Sequence, residues 1–315
     1  MAIQTNSKHI VIGGGSGFIG TELTKVLRKR GDRVTLISRT PGRNRLTWEA
    51  VEENGIPTCD AVINLAGKHI LDMRRRWNQR YREEVVTSRV KTTEILVKAI
   101  NDHPPEVFIS TAGKCFYGTK EVEAAGDYPE LDEYAEPMGI DFPAEMVRLW
   151  EAAACEVDST AVRHVRLRIG IVLAAGHWKT RGILPLIRLP FSVGLGASIG
   201  QGIQPFPWIH IDDVVNILIK AIDDRSMQDR YNAVAPGIVS NREFTHLLAA
   251  KLRRPVLWAI PRWLVTVFVG QERASILLQG QRVKPKRTLE AGYRFAYPDL
   301  NSALNQLTDN TQKGA

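Results

Sequence analysis

An α/β fold built on a doubly wound parallel sheet, with a smaller C-terminal lobe, is the architecture that this sequence of 315 residues predicts. Three observations carry it. A short apolar run, Ile10 to Ile12, passes through a glycine-rich turn into a helix-like stretch from Thr21 to Arg30. Short apolar runs and helical stretches then alternate as far as Val234. The segments outside that alternation are rich in Gly, Pro and Trp, as expected of a separate lobe.

The first unit holds the most chemistry. In His9-Ile-Val-Ile-Gly-Gly-Gly-Ser-Gly-Phe-Ile-Gly20, residues Gly14, Gly17 and Gly20 have the spacing G-x-x-G-x-x-G. The first glycine permits a sharp turn, the second lets backbone amides approach a pyrophosphate, and the third lets the helix pack closely on the strand. The helix N-terminus adds unpaired N–H groups and the positive end of its dipole. An ordinary strand-to-helix turn can carry the same triplet. The strand before it, the helix after it and Gly31 as a helix stop favour a dinucleotide site of the Rossmann type, with Gly14, Ser16, Gly17, Phe18, Ile19 and Gly20 as contacts. Gly15 and Gly20 also have the separation of an NTPase phosphate loop, but Thr21 and Glu22 follow where that loop needs Lys.

Further strands are predicted at Arg33 to Ser38, Ala61 to Leu65, Val107 to Thr111, His164 to Ile169 and Tyr231 to Val234. Helices are predicted from Glu84 to Asn101, closed by Pro104-Pro105, from Glu145 to Cys155 and from Asp212 to Asp223. Residues 1–172, completed by 210–235, should form the nucleotide-binding domain. Residues 173–209 and 236–307 should form a substrate or partner lobe over the C-terminal edge of the sheet, where open α/β sheets bind ligands. The polar stretch 308–315 reads as a disordered tail. Trp263 to Gly270, preceded by Pro261 and Arg262, is too short to span a bilayer and reads as a core or pocket-lining helix.

Composition narrows the function classes. Three widely spaced cysteines without a C-x-x-C pair, and seven histidines without ligand spacing, predict no metal site and an intracellular reducing compartment, the cytoplasm or the mitochondrial matrix. The first strand starts within ten residues of Met1, so no presequence is expected in this sequence. The net charge of +8 raises the question of a polyanionic partner, and Arg74-Arg-Arg-Trp-Asn-Gln-Arg-Tyr-Arg82 is the densest basic run. Glu83 and Glu84 follow at once and no nucleic-acid motif is present, so the run reads as a solvated helix face. Trp77 and Tyr81, four residues apart, should share the side turned to the sheet edge. Lys284 to Arg287 reads as a loop. The partners expected are a small-molecule substrate or a protein; neither nucleic acid nor a membrane span is expected, and a homodimer is allowed.

The second strand selects the dinucleotide. NAD binders usually carry an acid at its end to bond the ribose 2′-hydroxyl. Here the strand ends in Ser38-Arg39-Thr40, with Arg43 and Arg45 nearby and no carboxylate, which favours the 2′-phosphate of NADP(H).

The glycine turn, Asp60-Ala-Val-Ile-Asn-Leu-Ala-Gly67, Leu167-Arg-Ile-Gly-Ile-Val-Leu173, Phe206-Pro-Trp-Ile-His-Ile-Asp-Asp213, Asn232-Ala-Val-Ala-Pro236 and the stretch Val283 to Phe295 resemble the atypical and extended short-chain dehydrogenase/reductases, and within them the epimerase-family branch. The resemblance implies an oxidoreductase or epimerase acting on a small substrate. It implies that Ser38 and Arg39 meet the adenosine end, that Leu65, Ala66 and Gly67 approach the cofactor through their backbone, and that Ile171 and Val172 pass the nicotinamide. Arg89 stands where extended members have Asn beside the nicotinamide; with Glu84 on the same helix it would form either a polar pair lining the cleft or a surface salt bridge.

In this superfamily a Tyr, with Lys four residues on, shares a proton with the substrate oxygen. None of the seven tyrosines here is followed by Lys at that spacing; Pro143 and Val147 occupy the corresponding positions. Ala112 stands where many relatives have Ser, so Ser110 or Thr111 would have to supply that hydroxyl. Thr111, Lys114, Tyr117, His210 and Lys68 are the candidates for a replacement acid, each with packing or binding as the competing role. The alternative to an enzyme is a non-catalytic NADP(H) sensor or assembly factor.

Overall fold

The computed structural model describes residues 7–68, 70, 75, 77–119, 127–139, 141–175 and 182–312, the side chains of 309–312 excepted. Seven strands form one parallel sheet: β1 (His9–Gly13), β2 (Arg33–Ile37), β3 (Arg45–Leu46), β4 (Ala61–Asn64), β5 (Val107–Gly113), β7 (Arg163–Ile169) and β11 (Asp229–Ala233), in the spatial order β11-β7-β5-β4-β1-β2-β3. The order reverses at β1, where Gly13 lies between Ile37 of β2 and Asn64 of β4. The carboxyl ends of β1 and β4 thus border the crevice of a Rossmann-like sheet.

Helices α1 (Phe18–Arg30), α2 (Trp48–Asn54), α3 (Gln79–Asp102), α4 (Phe142–Cys155) and α6 (Ile211–Asp223) cover the two faces. Alternation along β1 explains the division. Ile10 and Ile12 join Leu23, Leu27, Val214 and Leu218 in one core, while Val11 joins Leu96, Ile100, Phe108 and Ala154 in the other. Gly31, in the left-handed region at φ 98°, ends α1.

The remaining elements are β6 (Glu130–Leu131) paired with β13 (Arg282–Val283), β8 (Ile171–Leu173) with β10 (Trp208–His210), β9 (Ser198–Ile199) with β12 (Ala259–Ile260), and helices α5 (Leu184–Ser192), α7 (Asn241–Lys251), α8 (Arg262–Val269), α9 (Gln271–Leu278), α10 (Lys286–Glu290) and α11 (Leu300–Gln312). A separate core joins several of them through Leu173, Phe191, Trp208, Phe244, Leu248 and Leu304. No helix among the described residues is long and apolar enough to cross a membrane.

Three expectations need correction. The polar stretch from Thr308 is not a loose tail, because α11 continues through Gln312; residues 313–315 lie outside the described residues. Leu300, Ala303, Leu304 and Leu307 give the helix an apolar stripe that packs with α7, with Asn301 and Asn305 exposed on the other side. The segment from Trp263 forms α8, which is not a core helix: Trp263, Val267 and Phe268 are 67%, 72% and 76% exposed and Val265 alone of the helix is buried, while Phe268 and Val269 line a surface pocket, the other alternative read from the sequence. Trp77 precedes its helix, since Asn78 caps α3 by accepting from the Tyr81 N–H; the two rings still meet, 5.8 Å between centroids.

Candidate functional site

The glycine turn stands at the carboxyl end of β1, beside the carboxyl end of β4. Gly14 has φ 73° and its Cα side faces Ala66, where any Cβ would fall 2.8 Å from backbone atoms. At Gly20 a Cβ would meet Gly15 at 2.6 Å, so the third glycine is fixed by the closeness of turn and helix. Ser16 and Gly17 are exposed at the turn's outer edge. Gly17 is the N-cap of α1 and has no side chain to occupy the first-turn N–H groups, leaving them for an anion. Phe18 and Ile19 pack at the margin of the sheet core and anchor the helix start.

The end of β4 is held by a buried chain of hydrogen bonds that sequence reasoning missed. Asn64 accepts from the Ala66 N–H and donates to Thr93 Oγ1, which also receives the indole N–H of Trp150. Thr93 Oγ1 donates to the Arg89 carbonyl. Leu65 is tied to Gly13 O through its N–H at 2.8 Å. Leu65, Ala66 and Gly67 are thereby presented to the crevice by backbone.

Arg89 does not pair with Glu84. Its guanidinium lies 5.2 Å from the Trp150 ring centroid and directly against Gly67, and it donates to Val85 O. Its Nε is buried without a hydrogen-bond partner among the described residues, and burial pushes the group down to about 10. Glu84 instead meets Lys68 and, at 3.0 Å, Arg75; the Lys68 hydrogen bond and these two cations hold its carboxyl below the usual range. The predicted pair fails because Glu84 is five residues before Arg89, and its carboxylate is taken by Lys68 and Arg75 and, one turn earlier on the same helix, by Arg80 at 3.5 Å.

At the end of β2, Ser38 is buried and its hydroxyl donates to Thr40 O, shaping the turn that follows; Arg39 is exposed just beyond it. β3 then adds a short strand that was not anticipated, with the exposed Arg45 in it.

Of the acid candidates, most are engaged elsewhere. Thr111 Oγ1 donates to Asn64 O at 2.6 Å and is buried, and Ser110 bonds His164 Nε2 at 2.8 Å. Tyr117 is fully buried: its hydroxyl donates to Asn232 Oδ1 and accepts from Arg168, and burial raises its pKa. His210 is buried, caps α6 by accepting from the Asp212 N–H, and meets Gln306 at 3.0 Å; burial lowers its pKa. Lys68 is occupied by Glu84. Lys114 differs. It follows β5, bonds Gln281 Oε1, and lines a cavity of about 320 Å³ together with Gly113, Cys115, Gly170 and Ile171. Val172 is half-buried beside Ile171 on β8. Pro143 and Val147 are both buried on α4.

A second feature absent from the sequence reading is the bidentate ion pair Arg168–Glu151, both residues buried, with Arg168 stacked on Phe116 at 3.4 Å. Glu133, fully buried, accepts the backbone N–H groups of Asn232 and Arg287. The alternation Arg166-Leu167-Arg168 was the available signal: charge at every second position of a strand marks a polar face.

The basic run is a mostly ion-paired surface. Arg75 and Arg80 pair with Glu84, and Arg82 bonds Glu272 at 2.7 Å; Arg74 and Arg76 lie outside the described residues.

Comparison with known proteins accords with this geometry. Residues 10–234 match the model of the NAD-dependent epimerase/dehydratase family, and residues 260–307 match a domain of unknown function. The mouse epimerase family protein SDR39U1 is 43% identical over 95% of this chain and 99% of its own length. The Bacillus subtilis epimerase family protein YfhF is 30% identical over 95% of this chain and 97% of its own. The crystal structure of human SDR39U1 with NADPH superposes with a TM-score of 0.89 at 40% identity, covering 96% of this chain and 99% of that one.

Proposed function

The chain belongs to the NAD-dependent epimerase/dehydratase family, and from that membership we propose that it binds NADP(H) and acts as an oxidoreductase or epimerase on a small substrate without the Tyr-x-x-x-Lys pair. The observation that carries this reading is the buried Nε of Arg89, without a partner among the described residues, its guanidinium against Gly67 just past β4, where Ala66 approaches Gly14 of the glycine turn. A buried guanidinium donor without a partner is costly, and a polar cofactor group in the crevice would satisfy it. The N-terminus of α1 holds the pyrophosphate, Arg39 takes the 2′-phosphate, and Ile171 with Val172 borders the nicotinamide. The NADPH in the human relative's structure supports the same choice of cofactor.

NADPH, when bound, supplies a hydride for a carbonyl carbon. Lys114 Nζ hydrogen-bonds the carbonyl oxygen and gives it a proton as the alcohol forms; the amine regains one from solvent.

Arg89→Met tests the reading. It keeps the length of the side chain and removes an unpaired donor, so NADPH affinity should fall at least tenfold while the thermal midpoint holds. Unchanged affinity would overturn it. A second reading, an NADP(H)-dependent sensor or assembly factor, is favoured by one observation: the apolar face of α8 is exposed, as a protein-docking surface would be. Carbonyl-dependent oxidation of NADPH separates the two.

A further inference from the structure

The cavity beside Lys114 opens at the carboxyl ends of β5 and β7, on the same sheet edge as the glycine turn and one strand beyond β4. Its volume of about 320 Å³ is at the small end of ligand pockets, which run from roughly 300 to 1,000 Å³. Twenty-one described residues line it, and sixteen of them are apolar or glycine, with Ile171, Ile187, Phe191, Phe206 and Phe244 giving the bulk of the wall.

Three of the polar residues in the wall each have one amide end bonded. Asn241 Oδ1 accepts the Ile199 N–H at 2.8 Å. Gln204 Nε2 donates to the carbonyls of Ile199 and Leu277, at 3.0 and 3.1 Å. Gln279 Oε1 accepts from Thr119 Oγ1 at 2.6 Å. Lys114 is the one Lys, Arg, Asp or Glu among the described lining residues; its ammonium has three donors, of which the Gln281 contact uses one.

A nucleoside diphosphate sugar needs cations or a cluster of amides for its diphosphate and a hydrogen-bonding partner for each sugar hydroxyl. Every hydroxyl buried unpaired weakens binding on the order of tenfold or more. A wall of isoleucine and phenylalanine with one cation at its end suits a different ligand. Resting on the cofactor reading above, the geometry points to an apolar carbonyl compound as the occupant of this cavity, its hydrocarbon part among Ile187, Phe191 and Phe244 and its oxygen on Lys114.

The test titrates NADPH-saturated protein with 2-decanone, 4-phenyl-2-butanone and UDP-glucose, reading the fluorescence of bound NADPH. Both ketones bind saturably, and UDP-glucose at equal concentration neither binds nor competes. Ile187→Trp, which fills the cavity, weakens both ketones at least tenfold and leaves NADPH affinity unchanged. Ala197→Phe on another part of the wall does the same if Ile187→Trp loses NADPH binding through misfolding. Saturable binding of UDP-glucose overturns the assignment, as do ketones that fail to bind a protein still saturable with NADPH. Failure of the unmodified protein to bind NADPH overturns the cofactor reading, and this inference with it.

Discussion

Replacing Arg39 with Asp should exchange one cofactor preference for the other. The exposed guanidinium past β2 is the group proposed to hold the 2′-phosphate, and a charge-assisted hydrogen bond of that kind contributes about 1.5–3 kcal/mol. Asp repels the phosphate and accepts from a 2′-hydroxyl, so Arg39→Asp should bind NADPH at least tenfold more weakly and NADH more tightly. Titration with both nucleotides reads it, and an unchanged ratio counts against Arg39. Lys114→Met is the matching test at the other end of the crevice. Loss of a positioned proton donor typically costs about 10²–10⁴-fold in rate. Turnover should fall by that amount with NADPH affinity intact, whereas a structural role would leave the rate unmoved. His164, stacked on Phe108 with ring centroids 5.0 Å apart, gives a pH prediction. Burial, aided by Arg166, holds its pKa down to about 4 from 6.5, so the unfolded chain takes up its proton first. The stabilisation is whole above pH 6.5 and is lost as pH falls toward 4. Between pH 7 and pH 5 the unmodified protein should lose about 2 kcal/mol more than His164→Gln in urea unfolding; equal losses would show that His164 titrates normally.

At the scale of the element, legibility followed periodicity. The strands of the sheet other than β3, and α1, α3, α4 and α6, were readable because one repeat and one set of stops served each of them. α11 was missed because its apolar stripe uses few residues among many polar ones, and α8 was misplaced because a run such as Trp263 to Val269 has no polar side to show which way it faces. Leu304→Ala tests α11 directly. Its side chain is fully buried against α7, and such truncations cost about 2–5 kcal/mol; a loss below about 0.5 kcal/mol would mean the helix end frays in solution. The basic run before and within α3 is paired with Glu84 and Glu272, which lowers the charge available to phosphates. Generic DNA and RNA should therefore give no mobility shift at physiological salt; micromolar binding that weakens steeply with added salt would contradict this.

Across the whole molecule, the backbone frame of the proposed cofactor site could be read from the chain and the side-chain partners at the proposed reactive end could not. Gly14, Gly17, Gly20 and Leu65 to Gly67 are backbone positions whose role is set by local geometry, so a motif reveals them. Thr111, Tyr117 and His210 lie on the expected elements, but what each hydroxyl or ring bonds depends on residues far away in sequence: Asn64, Asn232 and Gln306. No local pattern contains that information. The same holds for the cavity, whose wall draws on segments from Ile70 to Gln279. The central claim, an NADP(H) site at the crossover between β1 and β4, is tested most directly by calorimetric titration of the unmodified protein with NADPH and with NADH at one salt concentration. One NADPH should bind per chain, at least tenfold more tightly than NADH; equal affinities, or no saturable binding of either nucleotide, would contradict it.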